Sequence, residues 1–371
     1  MHDNSPEELP EGSTGTPKLT NPLGADAEAP AATAAPANDA YTEQRRLYGR
    51  IDSGHVDVTP VMEAAQRIQN EVARVVIGQN TMVELMLAGI LVGGHVLLEG
   101  YPGIAKTLTA KTLARSIASG FSRIQFTPDL MPTDITGTSV FDMKSSNFNF
   151  RKGPIFSNII LIDEINRAPA KTQAALMEVM EEKQLTYDGV TYTMDFPFFV
   201  VATQNPVEQE GTYQLPEAQL DRFIFRIRMP YPSLDEEQRI LARFSEDFTA
   251  RVSDEVNAVV DAAMLNEARK RIESVFIRPE LRDYIAAIVH NTRNNADLFL
   301  GASPRASLAM LRASKALAAM RGRDFVTPDD IREVSTPVLN HRVIVSHERE
   351  MEGTTVDEII AQIVQTIEVP R

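Results

Sequence analysis

The sequence predicts an α/β fold: a parallel five-stranded sheet interleaved with helices, followed by an all-helical domain. Two observations carry most of that expectation. Runs such as Ile159-Ile160-Leu161-Ile162 and Phe198-Phe199-Val200-Val201 are unbroken by polar residues, the pattern of strands covered on both faces. Between such runs lie segments with apolar residues at three- and four-residue steps, the period of a helix. Strands that alternate with helices are joined by crossovers and therefore pair in parallel. A third observation marks where the sheet stops. After Pro232 the strand patterns end and helix starts take over, with Ser233 capping Leu234-Asp235-Glu236 and Thr327 ahead of Pro328-Asp329-Asp330. The expected units are a tail over residues 1–45, an α/β domain over 46–232 and a helical domain over 233–371.

The elements follow in order. Residues 1–45 are Ala, Pro, Gly, Ser, Thr and acids with no aromatic before Tyr41, too little apolar surface to offset chain entropy, so a disordered tail is expected. From Val61, the residues Met62, Ile68, Val72, Val75 and Val76 recur at helical spacing. His95–Glu99 reads as a strand, Thr107–Ala118 as a helix, Arg123–Phe126 as a second strand and Asn158–Ile162 as a third. The long stretch from Phe126 to Ser157 separates them, and loops of that length inside a compact domain are usually functional. Ala170–Glu182 reads as a helix. Leu185–Tyr187 and Val190–Thr193 flank Asp188-Gly189, a strong hairpin signal. Phe198–Thr203 and Phe223–Met229 complete the sheet.

Composition narrows the function classes. The chain has 371 residues, 43% hydrophobic and 24% charged, with a formal charge of −14. That balance argues against a broad nucleic-acid surface, which is basic. There is no cysteine, which excludes disulfides, thiol catalysis and Cys-ligated zinc. The histidines show no ligand spacing such as H-E-x-x-H, so a metal-dependent hydrolase with a histidine-ligated metal is rejected. The most apolar stretch, Leu85 to Leu98, contains glycines and His95 and is too short for a membrane helix. A soluble, cytoplasmic protein is expected.

Three motifs carry chemistry. Gly100-Tyr101-Pro102-Gly103-Ile104-Ala105-Lys106-Thr107 follows a strand and opens a helix, the context of a nucleotide phosphate loop. Backbone N–H groups at such a helix start point at anionic oxygens. Lys106 would reach the β- and γ-phosphates and Thr107 would ligate Mg²⁺, with Leu108 next in the same turn. The general pattern has glycine where this chain has Ala105. Next, Asp163-Glu164 ends a buried strand, on the ligand edge of such a sheet. Asp163 would hold Mg²⁺ through water, and Glu164 would orient and polarise the attacking water. Finally, Gln204-Asn205-Pro206 ends another strand. Asn205 there is either a γ-phosphate and water contact or simple turn chemistry.

These three elements in this order resemble the AAA+ ATPases. A narrower likeness, to the MoxR family, lies in Asp163-Glu164-Ile165-Asn166-Arg167-Ala168-Pro169, in Lys171 to Glu178, in Ala202 to Pro206 and in Leu215 to Phe223. The phosphate loop, with Ala105, matches that family's own version. The resemblance implies ATP and Mg²⁺ as cofactors, and a homo-oligomeric ring, usually of six subunits, with ATP at each interface. It implies that Asn205 is the sensor 1 residue and that Arg222 is an arginine finger, expected near the Asn205 strand end and reaching the neighbour's site. Arg305, in Ser303-Pro304-Arg305, takes the sensor 2 position, in its own subunit or the next. Val76-Ile77-Gly78-Gln79 matches a segment that contacts adenine, or is plain helix-end packing. Gln125 sits near a residue that restrains the catalytic glutamate in some relatives. The stretch from Phe126 to Ser157 and the Asp188-Gly189 hairpin resemble projecting inserts, the first facing the pore. The family implies chaperone-like remodelling of a client complex together with a von Willebrand A domain protein. A magnesium-chelatase-type motor is the nearest alternative, and a catalytically weak nucleotide-binding scaffold is another.

Overall fold

Parallel strands β1 (Val96–Gly100), β2 (Phe121–Gln125), β5 (Ile159–Asp163), β8 (Phe199–Gln204) and β9 (Phe225–Met229) form one sheet in the order β2-β5-β8-β1-β9 in the computed structural model. The structure describes residues 37–49, 54–101, 103–144, 146–206, 212–245 and 256–370. Side chains alternate across the sheet, as the strand period requires. Val96, Leu98, Ile159, Leu161 and Val201 pack on one face, and Leu97, Ile160, Ile162, Val200 and Ala202 on the other. Because every strand runs the same way, all strand starts lie at one edge and all strand ends at the opposite edge.

Helices α2 (Thr59–Ala73), α3 (Asn80–Val92) and α4 (Lys106–Ser116) cover the first face. Helix α6 (Ala170–Glu182), together with the short α5 (Pro132–Thr136), covers the second. The insert is an antiparallel hairpin, β3 (Gly137–Asp142) with β4 (Asn147–Lys152), and a second hairpin pairs β6 (Gln184–Tyr187) with β7 (Val190–Thr193). Asp188 and Gly189 both have positive φ, as the tight turn read from the sequence requires. The two hairpins meet through Phe150, which stacks on Tyr187 at 4.6 Å between ring centres.

After a short α7 (Glu217–Leu220) come α8 (Leu234–Phe244), α9 (Ala262–Glu273), α10 (Pro279–Arg293), α11 (Pro304–Met320), α12 (Pro328–Leu339), α13 (His347–Met351) and α14 (Val356–Thr366). The capping residues Ser233 and Thr327 stand where the sequence places them, each in a capping box. Two expectations are corrected. Strands do not end at Pro232: β10 (Leu298–Leu300) pairs with β11 (Ile344–Val345) among the later helices. The expected tail boundary falls inside helix α1 (Ala37–Tyr48), while residues 1–36 of that tail lie outside the described residues. The chain divides into Met1–Tyr41 and Thr42–Arg371, and everything below concerns the second unit. Within it α2 and α3 pack against α9 and α11, so the later helices share a core with the α/β part.

Candidate active site

The strand-end edge gathers the phosphate-loop residues and the two acids. Gly103, Ile104, Lys106, Thr107, Asp163 and Glu164 line one cavity of about 420 Å³, with Ala105, Leu108 and Asn205 also in its wall. Ala105 has φ +61° and ψ +21°, left-handed. A side chain there costs about 1 kcal/mol relative to glycine, and the loop keeps the turn that a glycine would give it. Gly103 is also left-handed, and a Cβ at that position meets nothing within 4 Å, so the backbone there faces open space. Lys106 Nζ donates to the carbonyl of Gly100. Burial pushes Lys106 below its ordinary pKa, against the pull of Asp163, Glu164 and Glu99.

Both acids are held from two sides. Asp163 accepts from Arg123 Nε at 2.6 Å and from Thr203 Oγ1 at 3.3 Å. Glu164 has left-handed backbone with φ +57°. Its carboxylate accepts from Gln125 Nε2 at 2.8 Å and pairs with Arg167 at 2.9 Å, and its backbone N–H donates to Thr203 at 3.0 Å. Both side-chain contacts fall on the same carboxylate oxygen, Oε2. Asp163 and Thr107 offer hard oxygen ligands in the same cavity, and Mg²⁺ is held by one or two such groups plus substrate phosphates. The residues therefore fit that ion.

The arginines are elsewhere. Arg222 precedes β9, and β9 runs parallel to β1 and β8. Arg222 therefore sits at the strand-start edge, beyond the full length of β9, about 16 Å for five residues at roughly 3.3 Å each, from the strand end where the phosphate loop begins. The expectation that it lies near the Asn205 strand end is corrected. Arg222 donates to the carbonyl of Met177 at 2.5 Å and pairs with Glu181 at 2.8 Å, and its Nε is buried with no acceptor among the described residues. Arg305 pairs with the other oxygen of the same Glu181 at 2.5 Å. Arg222, Arg305, Arg312, Lys183 and His95 line a second cavity, of about 400 Å³. His95 accepts from Val200 N–H through Nδ1 at 3.0 Å and donates from Nε2 to the carbonyl of Met180 at 3.1 Å. Burial, with the nearby Lys183 charge, lowers its pKa to about 4. This neutral imidazole ties the end of α6, and so Glu181, to the sheet.

Val76, Ile77 and Gly78 are not among the residues lining the phosphate cavity. Val76 is buried, and a Cβ on Gly78 comes within 2.5 Å of the Glu236 side chain of α8, so this segment packs under α8. Pro102 lies outside the described residues. Sequence reasoning missed Arg123, whose signal was available: it shares a face of β2 with Gln125, two residues on. It also missed Glu181, for which no local signal exists.

Comparison with known proteins fits this geometry. Residues 95–225 match the model of an ATPase family associated with various cellular activities (AAA), and residues 290–363 match an AAA lid domain. The uncharacterized protein YeaC of Bacillus subtilis is 45% identical over 297 residues, 80% of this chain and 92% of that protein. Chaperone MoxR1 of Mycobacterium tuberculosis is 44% identical over 310 residues, 81% of each chain. A crystal structure of a candidate ATPase from Cytophaga hutchinsonii superposes with a TM-score of 0.79 at 43% identity, over 85% of this chain and 97% of that one. A magnesium-chelatase subunit homologue of Methanocaldococcus jannaschii is more distant, 28% identical over half of this chain.

Proposed function

This chain belongs to the MoxR family of AAA+ ATPases, and on that premise we propose that it hydrolyses ATP with Mg²⁺ at subunit interfaces and uses the cycle to remodel a partner complex. One observation carries the proposal. The phosphate loop, Asp163 and Glu164 occupy one edge of the sheet, while Arg222 and Arg305 share Glu181 at the other. A single chain cannot bring Arg222 to its own phosphate loop without dismantling the sheet. A second copy, placed head to tail, brings its strand-start edge to the neighbour's strand-end edge. Such a heterologous contact gives a ring when the rotation between copies closes, and we propose a closed ring of six subunits.

In this reading Glu164 polarises the attacking water once Gln125 releases it, and Lys106 holds the β- and γ-phosphates. Asp163 and Thr107 hold Mg²⁺, which neutralises charge on the phosphate oxygens when bound. Asn205 contacts the γ-phosphate and the water. Arg222 and Arg305 from the next subunit stabilise the charge that develops in transfer. Residues 76–78 contribute to the adenine side of the site. The compartment proposed is the cytoplasm, where ATP is abundant, and the partners proposed are a von Willebrand A domain protein and a client complex. The exposed Phe141 and Phe148 of the β3–β4 hairpin are the apolar surface proposed to meet the client. The scaffold alternative loses its main support, because Ala105 already adopts the conformation the loop needs.

The test is turnover against concentration. The rate per subunit is expected to rise with protein concentration until assembly saturates, by mass action. A monomer that hydrolyses at the full rate would refute the interface reading.

A further inference from the structure

The loop that carries Arg222 is gripped by the helical part of the chain. Asp221, next to Arg222, accepts from Ser303 Oγ at 2.8 Å and from Arg342 Nε at 2.7 Å. Arg342 uses its whole guanidinium on this turn and its surroundings. Nη2 donates to the carbonyls of Asp221 at 3.1 Å and Phe223 at 2.6 Å, and Nη1 donates to those of Ile224 at 3.2 Å and Val338 at 2.5 Å. Its side chain is only 3% exposed. Acceptors on both sides of Arg222 in the chain therefore converge on one cation.

Burying a guanidinium is costly unless every donor is met and its charge is paired. Burial pushes Arg342 below its ordinary pKa, opposed by Asp221. An apolar side chain would fill the same space without that cost, but it would leave this row of carbonyls and the Asp221 carboxylate unpaired. Arg342 is therefore suited to fix backbone. Ser303 matters for a related reason. It caps α11, whose second residue is Arg305, so Asp221 joins the segment carrying Arg222 to the segment carrying Arg305.

We propose that Arg342 is a positioning residue for the two interfacial arginines. By clamping Asp221, Phe223 and Ile224 it sets where Arg222 and Arg305 stand relative to a neighbour's nucleotide. Catalysis by such cations depends on placement, and a misplacement of about 1 Å can cost roughly 100-fold. This inference rests on the proposal that Arg222 acts on the neighbouring subunit.

The experiment uses Arg342→Lys, which keeps the charge. A lysine offers its donors from a single point and cannot span the carbonyls that a planar fork reaches. The expected result is a folded, assembled protein whose ATP affinity stays within about twofold of wild type while turnover at saturating ATP falls about tenfold or more. The same protein mixed with Glu164→Gln should regain activity, because its own phosphate edge is intact and the Glu164→Gln neighbour brings correctly placed arginines. A purely structural defect in the Arg342→Lys subunit would not be repaired by its neighbour. Wild-type turnover in a folded Arg342→Lys protein overturns the proposal, and so does a loss that Glu164→Gln does not repair while it does repair Arg222→Ala. If Arg342→Lys unfolds, Asp221→Asn is read in the same way, and unfolding of both shows a merely structural clamp and overturns the assignment. If Arg222→Ala itself is not repaired by Glu164→Gln in rings that co-assemble, the interface reading has failed and the clamp falls with it, a result distinct from the others.

Discussion

Replacing Arg305 with alanine is expected to silence the neighbouring subunit's site and leave its own intact. The reason is geometric: Arg305 shares Glu181 with Arg222 at the strand-start edge, a strand's length from Lys106 and Glu164. Alone, Arg305→Ala should bind ATP and turn over slowly, since interfacial arginines in related phosphoryl transfers are worth about 1,000-fold or more. The informative quantity is recovery on mixing with Glu164→Gln. In a ring assembled at random from equal amounts, a productive interface needs an Arg305→Ala subunit supplying the phosphate edge and a Glu164→Gln subunit supplying the arginines. Each choice has a chance of one half, so about one quarter of interfaces work, and steady-state turnover should return to about a quarter of wild type for independent sites. If Arg305 served its own subunit, no interface would hold a complete site and nothing would return. Lys106→Ala mixed with Glu164→Gln is the built-in control. Both lesions lie in the same half-site, so this pair should stay inactive. A coupled-enzyme ATPase assay on pre-mixed, sized complexes reads all three pairs. Recovery by the Lys106→Ala pair, or none by the Arg305→Ala pair in rings that demonstrably co-assemble, refutes the division of the site between the two edges.

Three further outcomes are expected. Glu164→Gln should bind ATP but hydrolyse it at least about 100-fold more slowly, because an amide cannot take a proton; single-turnover kinetics with ATP in the site check this, and unchanged turnover removes Glu164 from the base role. Ala105→Gly relieves a left-handed alanine worth about 1 kcal/mol and adds a similar entropy to the unfolded chain, so the melting midpoint should move by no more than a few degrees and nucleotide affinity should hold; lost affinity in calorimetry counts against the loop reading. His95, held neutral with its pKa at about 4, takes up a proton more readily when unfolded, near 6.5. Stability should therefore be complete above about pH 6.5 and fall as pH drops toward 4, by about 2 kcal/mol at pH 5. His341 is also buried with a lowered pKa and adds in the same direction, so the decisive reading is denaturant unfolding at pH 7 and 5, where His95→Gln should show a smaller pH loss than wild type.

What the sequence discloses follows from how far apart the interacting residues are. Buried strands announce themselves through runs such as Ile159 to Ile162, and the phosphate loop through eight consecutive residues, so the sheet and its ligand edge are legible. The β3–β4 hairpin is hard to read because its alternating Asn147-Phe148-Asn149-Phe150 does not pack on the main sheet: Phe148 is exposed and Phe150 stacks on Tyr187 of the other hairpin. The grip of Glu181 on Arg305 and that of Asp221 on Arg342 join residues 124 and 121 positions apart, which no local pattern reveals. The position of Arg222 belongs to a third kind. It was misplaced beside Asn205 because the two motifs are close in the chain, yet the information needed was present. Asn205 ends a strand and Arg222 precedes one, and in a parallel sheet those are opposite edges. The same rule underlies our proposal that assembly completes the site. A chain that sets its phosphate loop after one parallel strand and Arg222 before another separates the two by the length of the sheet. No hinge in the helical part closes that gap for Arg222 while the strands stay paired, because Arg222 leads directly into β9. On the proposed reading the subunit interface is where hydrolysis becomes possible, and a partner that opened or tightened that interface would act directly on the rate.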